Sequence, residues 1–318
     1  MTRSLCIAIV GPTASGKSDL AMKVAKRLNG EILCMDSATV YRGFDVGTSK
    51  PSKADQKEIP HHLLDILDPL DAFSAHDFVK EADKIIGEIE GRGRLPIVVG
   101  GTYFYLRALQ KGMFPVNDAP SEITDAIEKE FFDGDSLQTD KMHEALKEAD
   151  PEAAKKIHPN DRYRLIRALG IIRSSGKLPS ELKPEPVSER AATRLWMKYA
   201  VVLSRHLLHE NILLRTDKML QNGLVEEVRR LQHEFPQARA LGSIGYQETC
   251  EFIAEKINQK QLRDQIIEHT RQLAKRQLTW IRSDSELRFV DGRDLDRIEL
   301  EVSNLSFALG KTMSGEKR

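Results

Sequence analysis

The residues best equipped for chemistry form one run, Gly11-Pro12-Thr13-Ala14-Ser15-Gly16-Lys17-Ser18, directly after the apolar stretch 5–10. The spacing is G-x-x-x-x-G-K-[ST], a phosphate-binding loop set between a buried strand and a helix. Its glycines let the backbone curl so that successive N–H groups converge on one anion. The helix adds its positive N-terminal end, Lys17 a point charge and the Ser18 hydroxyl a ligand for Mg2+. A phosphorylated small molecule is the expected occupant.

Nucleoside triphosphatases with this loop carry a Mg2+-holding aspartate associated with a later strand. Here the apolar stretch 95–99 ends instead in Gly100-Gly101-Thr102. The acid follows the second strand, in Cys34-Met35-Asp36-Ser37. Parallel strands deliver their C-terminal ends to one crevice, so Asp36 is placed across from the bound phosphates, where an acceptor sits. Gly100 and Gly101 allow close backbone approach, and Thr102 opens the next helix with a hydroxyl near the same anion. Two chemistries fit. In a small-molecule kinase Asp36 takes a proton from a hydroxyl while ATP fills the loop. In a transferase the loop grips an organic diphosphate leaving group while Asp36 activates the acceptor.

These groups need a scaffold. Apolar runs at 5–10, 31–36, 95–99, 199–204 and 287–291 read as buried strands. Helical patterns at 17–28, 75–89, 102–110 and 207–220 lie between them. The alternation predicts an α/β fold, a P-loop parallel sheet covered by helices. Residues 115–198 lack a convincing strand and carry short helical patterns at 123–132, 141–148 and 163–172, which predicts a helical insertion domain. The expected division is a first core part at 1–114, the insertion at 115–198, and a second core part at 199–318 that becomes mainly helical after Gly223. Residues 311–318 read as a frayed tail.

The chain has 318 residues, 40% of them hydrophobic and 30% charged, as in ordinary globular proteins. No apolar run approaches a membrane span. The N-terminus enters a strand at once, so no signal peptide is expected. Three cysteines make no disulfide framework. Cys6 and Cys34 read as small core residues, and a reducing, cytoplasmic setting is expected. His61 and His62 lack metal-ligand spacing with cysteine and read as structural. Net charge is zero but segregated. Seven basic residues and one acid lie between Lys155 and Lys177, and four basic residues and no acid between Arg271 and Arg282. Residues 118–135 hold seven acids and one lysine. Such segregation suits a polyanionic partner. On helical geometry Arg164 and Arg167 share a face, with Leu165, Leu169 and Ile172 on another. Arg271, Lys275 and Arg282 form a second stripe, apart from Leu273 and Trp280, the latter read as core.

The loop together with Asp36-Ser37-Ala38-Thr39-Val40-Tyr41-Arg42-Gly43-Phe44-Asp45-Val46-Gly47-Thr48 resembles the tRNA dimethylallyltransferase (tRNA isopentenyltransferase) family. The resemblance continues in order through Pro60-His61-His62-Leu63-Leu64-Asp65, Gly100-Gly101-Thr102, Arg164-Leu165-Ile166-Arg167, Gly223-Leu224 with Glu227-Val228, Ile244-Gly245-Tyr246-Gln247-Glu248, and Arg271 to Gln277 with Thr279-Trp280. It covers nearly the whole chain. It implies transfer of a dimethylallyl group from its diphosphate to the exocyclic amine of the adenosine on the 3′ side of a tRNA anticodon.

In that reading Asp36 is the general base. Residues Gly11, Pro12, Thr13, Ala14, Ser15, Gly16, Lys17 and Ser18 hold the diphosphate, with Thr102 and Arg215 beside them and Mg2+ on Ser18. The resemblance assigns tRNA contacts to Asp36, Ser37, Ala38 and Thr39, to Tyr163, Arg164, Leu165, Ile166 and Arg167, to Gly242, Ser243, Ile244, Gly245, Tyr246 and Gln247, and to Arg271 and Lys275. The anticodon stem-loop and dimethylallyl diphosphate are the expected partners, with no membrane and a monomer as the expected state. Three positions depart from the family pattern: Thr39 stands where Gln is frequent, Asn211 where Arg is common, and Gln247 where Lys or Arg is frequent. The chain ends without the zinc-finger tail of animal and fungal members, as expected of the bacterial form. The rivals are an enzyme prenylating free adenine nucleotides, a small-metabolite kinase, and a catalytically idle RNA-binding module.

Overall fold

The computed structural model describes residues 4–113, 119–183 and 185–309. The chain forms, in order, β1 (Ser4–Val10), α1 (Lys17–Arg27), β2 (Gly30–Met35), α2 (Lys53–Glu58), β3 (His61–His62), α3 (Ala75–Gly91), β4 (Leu95–Gly100) and α4 (Tyr103–Lys111). Then come α5 (Ser121–Glu130), α6 (Thr139–Ala149), α7 (Pro151–Ala154) and α8 (Arg162–Ser175). The remainder is α9 (Glu189–Ala192), β5 (Arg194–Val201), α10 (Arg205–Gln221), α11 (Leu224–Glu234), α12 (Tyr246–Ile253), α13 (Gln259–Arg282), β6 (Arg288–Val290) and α14 (Leu295–Ala308). Two compact units result: Met1–Gln110 with Val187–Arg318, and Lys111–Pro186.

The first unit is built on a six-stranded sheet in the order β3-β2-β4-β1-β5-β6. Every neighbouring pair is parallel, as expected when helices cover both faces. The period-two alternation of β1 divides the core. Cys6, Ala8 and Val10 pack with α3 residues Phe78, Ala82 and Ile86. Ile7 and Ile9 face α1 residues Leu20, Ala21 and Val24, with Ile298 and Val302 of α14. The valine, leucine, isoleucine and phenylalanine side chains among them contribute about 1.5–3 kcal/mol each when fully buried. In register, Val10 and Met35 both meet Gly100, so the loops after β1, β2 and β4 open at one edge. Gly100 cannot be replaced there, because a Cβ would stand 1.9 Å from the Met35 carbonyl oxygen.

β5 begins at Arg194, five residues before the apolar run that marks it in the sequence, and the chain is back in the first unit from Val187. Two charges disguise its first five residues. Arg194 is buried against Asp83 and Glu90, and Lys198 against Asp284 and Glu286, each Lys198 pair at 2.6 Å. Burial of paired charge is tolerated where unpaired charge is not. The two-residue β3 is also absent from the sequence reading; His62 Nε2 lies 2.6 Å from a Glu31 carboxylate oxygen that also accepts from Arg92.

The second unit is helical, with Ile127, Met142, Leu146, Leu165 and Leu169 at its centre. Asp161 caps α8 by accepting from the Arg164 amide at 3.2 Å, and Gly176 ends it in the left-handed conformation at φ 66°. The proposed domain start at 115 and the tail at 311–318 lie outside the described residues.

Candidate active site and basic groove

A cavity of about 400 Å³ opens in the first unit at the carboxyl ends of β1, β2 and β4. Three sets of groups meet there: Thr13, Lys17 and Ser18 from the phosphate loop, Asp36 to Thr39 from the turn after β2, and Arg215 from α10.

The loop has the form an anion requires. Gly16 is the N-cap of α1 at φ 83°, and no side chain caps the helix, so its first amides are free to bind an anion. Ala14 also adopts a left-handed backbone, at φ 63°. Lys17 Nζ donates to the Pro12 carbonyl at 3.3 Å. Desolvation, with the Arg215 cation nearby, pulls the Lys17 ammonium down to about 8, while Asp36 opposes the shift. Gly11, Pro12, Ala14, Ser15 and Gly16 shape the loop without lining the cavity.

Asp36 is held by its own turn. Its Oδ1 accepts from the amides of Ala38 at 2.8 Å and Thr39 at 3.3 Å. Arg215 donates to the Thr48 carbonyl at 3.2 Å. The cavity thus brings together two cations, Lys17 and Arg215, and the Asp36 carboxylate, with Ala21, Ile32 and Val99 as apolar lining. Cys34 and His61 line it too, so Cys34 belongs to the site and not only to the core.

Thr102 lies one residue beyond Gly101, which lines the cavity, but does not line it itself. Gly242, Ser243, Ile244 and Tyr246 close another side, while Gln247 is exposed. Tyr246 is 1% exposed and its hydroxyl donates to Glu227 at 2.7 Å, so its ring faces the cavity while its hydroxyl is taken. The Gly245 amide is likewise taken, donating to Glu248 at 2.6 Å.

The sequence reading missed the supports. Gln277 of α13 accepts from the Thr13 amide and donates to the Gly101 carbonyl. Asn211 of α10 donates to the Ala14 carbonyl at 3.0 Å. Asn211 stood out in the sequence only as a departure from the family pattern, and Gln277 only as part of a longer matching run.

A second cavity, about 620 Å³, lies between α10 and α13 over an apolar floor of Leu203, Leu208 and Leu278. The stripe of Arg271, Lys275 and Arg282 lines it together with Arg205. Arg271 Nε is buried there without a hydrogen-bond partner. Trp280 is 37% exposed and so is not a core residue. In the helical unit Tyr163 and Arg164 are exposed and Arg167 is half-buried. The side chains of Leu165 and Ile166 are packed into that unit's core. Among the described residues no cluster of three or more His, Cys, Asp or Glu side chains is disposed to hold a metal, and no helix is long and apolar enough to cross a membrane.

Residues 39–284 match the family model described as IPP transferase. A tRNA dimethylallyltransferase of Hydrogenovibrio crunogenus is 40% identical over 96% of this chain and 95% of its own. The structure of a tRNA delta(2)-isopentenylpyrophosphate transferase from Staphylococcus epidermidis is 34% identical, with a TM-score of 0.68 over 96% of this chain and all of its own. A eukaryotic dimethylallyltransferase captured acting on tRNA superposes with a TM-score of 0.73 at 26% identity, over 98% of this chain and 81% of its own.

Proposed function

The chain belongs to the IPP transferase family, and on that premise we propose that it transfers a dimethylallyl group from dimethylallyl diphosphate to tRNA. The acceptor is the exocyclic amine of the adenosine on the 3′ side of the anticodon. One observation carries this reading: Thr13, Lys17 and Ser18 of the phosphate loop, Arg215 and Asp36 line a single cavity. The amine nitrogen bonds to the allylic carbon, the carbon–oxygen bond to the diphosphate breaks, and the amine proton passes to Asp36. The loop amides, Lys17 and Arg215 stabilise the charge that develops on the departing diphosphate. An exocyclic amine on a purine is a weak nucleophile, so a carboxylate at hydrogen-bond distance matters. The target base has to leave its stack to enter such a cavity.

Ser18 lines the cavity beside Lys17, which suits Mg2+, a cation that is commonly bound by one or two protein oxygens, phosphate and water. The ion would supply further charge neutralisation on the diphosphate. Ser37, Ala38, Thr39 and the Gly242–Ile244 segment border the space for the acceptor base. Arg164, Arg167, Arg271 and Lys275 supply phosphate contacts in a cytoplasmic, monomeric enzyme. The basic groove favours tRNA over a free nucleotide, which needs no such surface.

The test is purified protein with labelled dimethylallyl diphosphate and Mg2+, given bulk tRNA in parallel with AMP and ATP. Label is expected in tRNA alone, with no ATP added. Label in AMP would support the free-nucleotide enzyme, and a phosphorylated product the kinase.

A further inference from the structure

Glu227 has no place in the reaction just described, and it does not line the cavity. It stands in the first turn of α11 and is 8% exposed. A carboxylate presents four acceptor positions, and four donors converge on this one. Oε2 accepts from the amides of Asp45 at 3.1 Å and Val46 at 2.8 Å. Oε1 accepts from the Gly47 amide at 3.2 Å and the Tyr246 hydroxyl at 2.7 Å.

The segment so gripped runs directly into the site. Thr48 Oγ1 donates to the Phe44 carbonyl at 2.7 Å, and Lys50 Nζ lies 2.6 Å from Asp45 and 2.5 Å from Asp65. The Tyr246 ring lies so close that a Cβ on Gly47 would stand 2.4 Å from it. The next carbonyl along, that of Thr48, is the one that accepts from Arg215. We infer that Glu227 is a positioning residue for Arg215: by fixing the 45–47 amides and Tyr246, it sets the carbonyl that aims the guanidinium at the diphosphate.

The inference rests on Arg215 holding the diphosphate, as proposed above. Its logic is a relay of rigid contacts: a buried carboxylate, three consecutive amides, one carbonyl, one cation. Glu227→Gln has the same size but replaces two acceptor positions with N–H donors: with its NH2 toward Tyr246, whose hydroxyl can turn to accept, the Gly47 amide is left facing a donor, and with its NH2 on the other side the Asp45 and Val46 amides are.

The test is a double-mutant cycle of Glu227→Gln and Arg215→Ala, read on kcat, on tRNA KM and on the Kd of inorganic pyrophosphate with Mg2+. Loss of one preorganised charge-stabilising group costs about 10²–10³-fold in kcat, which is expected of Arg215→Ala. Glu227→Gln alone is expected to lower kcat about tenfold or more and to weaken pyrophosphate binding, with tRNA KM changed less than about threefold. Added to Arg215→Ala it is expected to do almost nothing further, because residues acting as a unit are non-additive. A merely structural role predicts losses that multiply. Multiplying losses, or wild-type values for Glu227→Gln, overturn the inference. Should Glu227→Gln not fold, Tyr246→Phe removes a single bond of the four and is expected to give a smaller loss in the same quantities, again absent without Arg215; a wild-type Tyr246→Phe then overturns it. Failure of the wild-type protein to prenylate tRNA would instead fell the parent reading, and the pyrophosphate cycle would still report on Glu227.

Discussion

Gln277 accepts a hydrogen bond from the Thr13 amide at 2.8 Å, although 264 residues separate them in the chain. Its amide nitrogen donates to the Gly101 carbonyl at 3.2 Å. One side chain on α13 therefore joins the phosphate loop to the turn after β4. From α10, Asn211 adds a bond to the carbonyl of Ala14, the residue whose left-handed backbone bends that loop. The loop takes its shape from helices encoded far downstream as well as from its own glycines.

Removing Gln277 should therefore be felt at the diphosphate. Gln277→Ala deletes two hydrogen bonds, each contributing about 1 kcal/mol net, and is expected to weaken pyrophosphate binding by about tenfold. Calorimetric titration of wild type and variant measures this directly. Equal affinities would mean that the loop holds its form unaided.

Lys17 gives the site a pH dependence of definite sign. Its folded-state pKa is drawn down from 10.5 to about 8, so the free protein carries the full Lys17 charge only below that value. Diphosphate affinity is expected to fall as pH rises through about 8, by up to tenfold per unit where the uncharged form dominates. Stability of the free protein runs the other way. Between about 8 and 10.5 the unfolded chain holds the Lys17 proton that the folded chain has released, so this residue adds stability as pH rises across that window. Binding and thermal-unfolding profiles of wild type and Lys17→Met check both slopes. The variant should lose both inflections.

Much of the fold was legible because its pattern is local. The β1 run, the glycines and Lys17 of the loop, and the switch to helical spacing at α1 are all written in consecutive residues. Elements whose stability comes from distant partners were not. The first five residues of β5 include Arg194 and Lys198, charges that argue against a buried strand until Asp83 and Asp284 are found beside them. Trp280 reads as core by residue type, yet its helix turns it outward. The same division runs through the site. Asp36 is visible as an acid at a strand end, whereas Glu227, Asn211 and Gln277 act through backbone groups of other segments and leave no local pattern. Leu165 and Ile166 belong to the same family run as Arg164 and Arg167, yet their side chains are packed into the core of the helical unit, a difference within the run that the resemblance alone does not show.

Asp36→Asn isolates the proposed base from its structural role. An asparagine side-chain oxygen can still accept from the amides of Ala38 and Thr39, so the turn should persist while proton acceptance is abolished. Turnover is expected to drop by about 10²–10⁴-fold, the usual share of general base catalysis. Pyrophosphate affinity should change little. Near-normal single-turnover rates would remove Asp36 from the mechanism.

The basic groove between α10 and α13 yields the last expectation. Arg271 and Lys275 line it together with Arg205 and Arg282. In the helical unit Arg164 is 57% exposed and already lies 3.3 Å from Asp161, so its approach to RNA competes with that pair. Neutralising Arg164, Arg167, Arg271 and Lys275 together should weaken tRNA binding and flatten its salt dependence. For every phosphate that no longer meets a cation, the slope of log affinity against log salt is expected to shrink by about 0.7–0.9 of a unit. Arg271 and Lys275 sit on the same helix as Gln277, so pyrophosphate affinity must be measured in the same variant. An unchanged value shows that the helix still supports the phosphate loop, and the slope then reports on tRNA alone. An unaltered slope would assign these residues to a solvated face and place the grip on tRNA elsewhere.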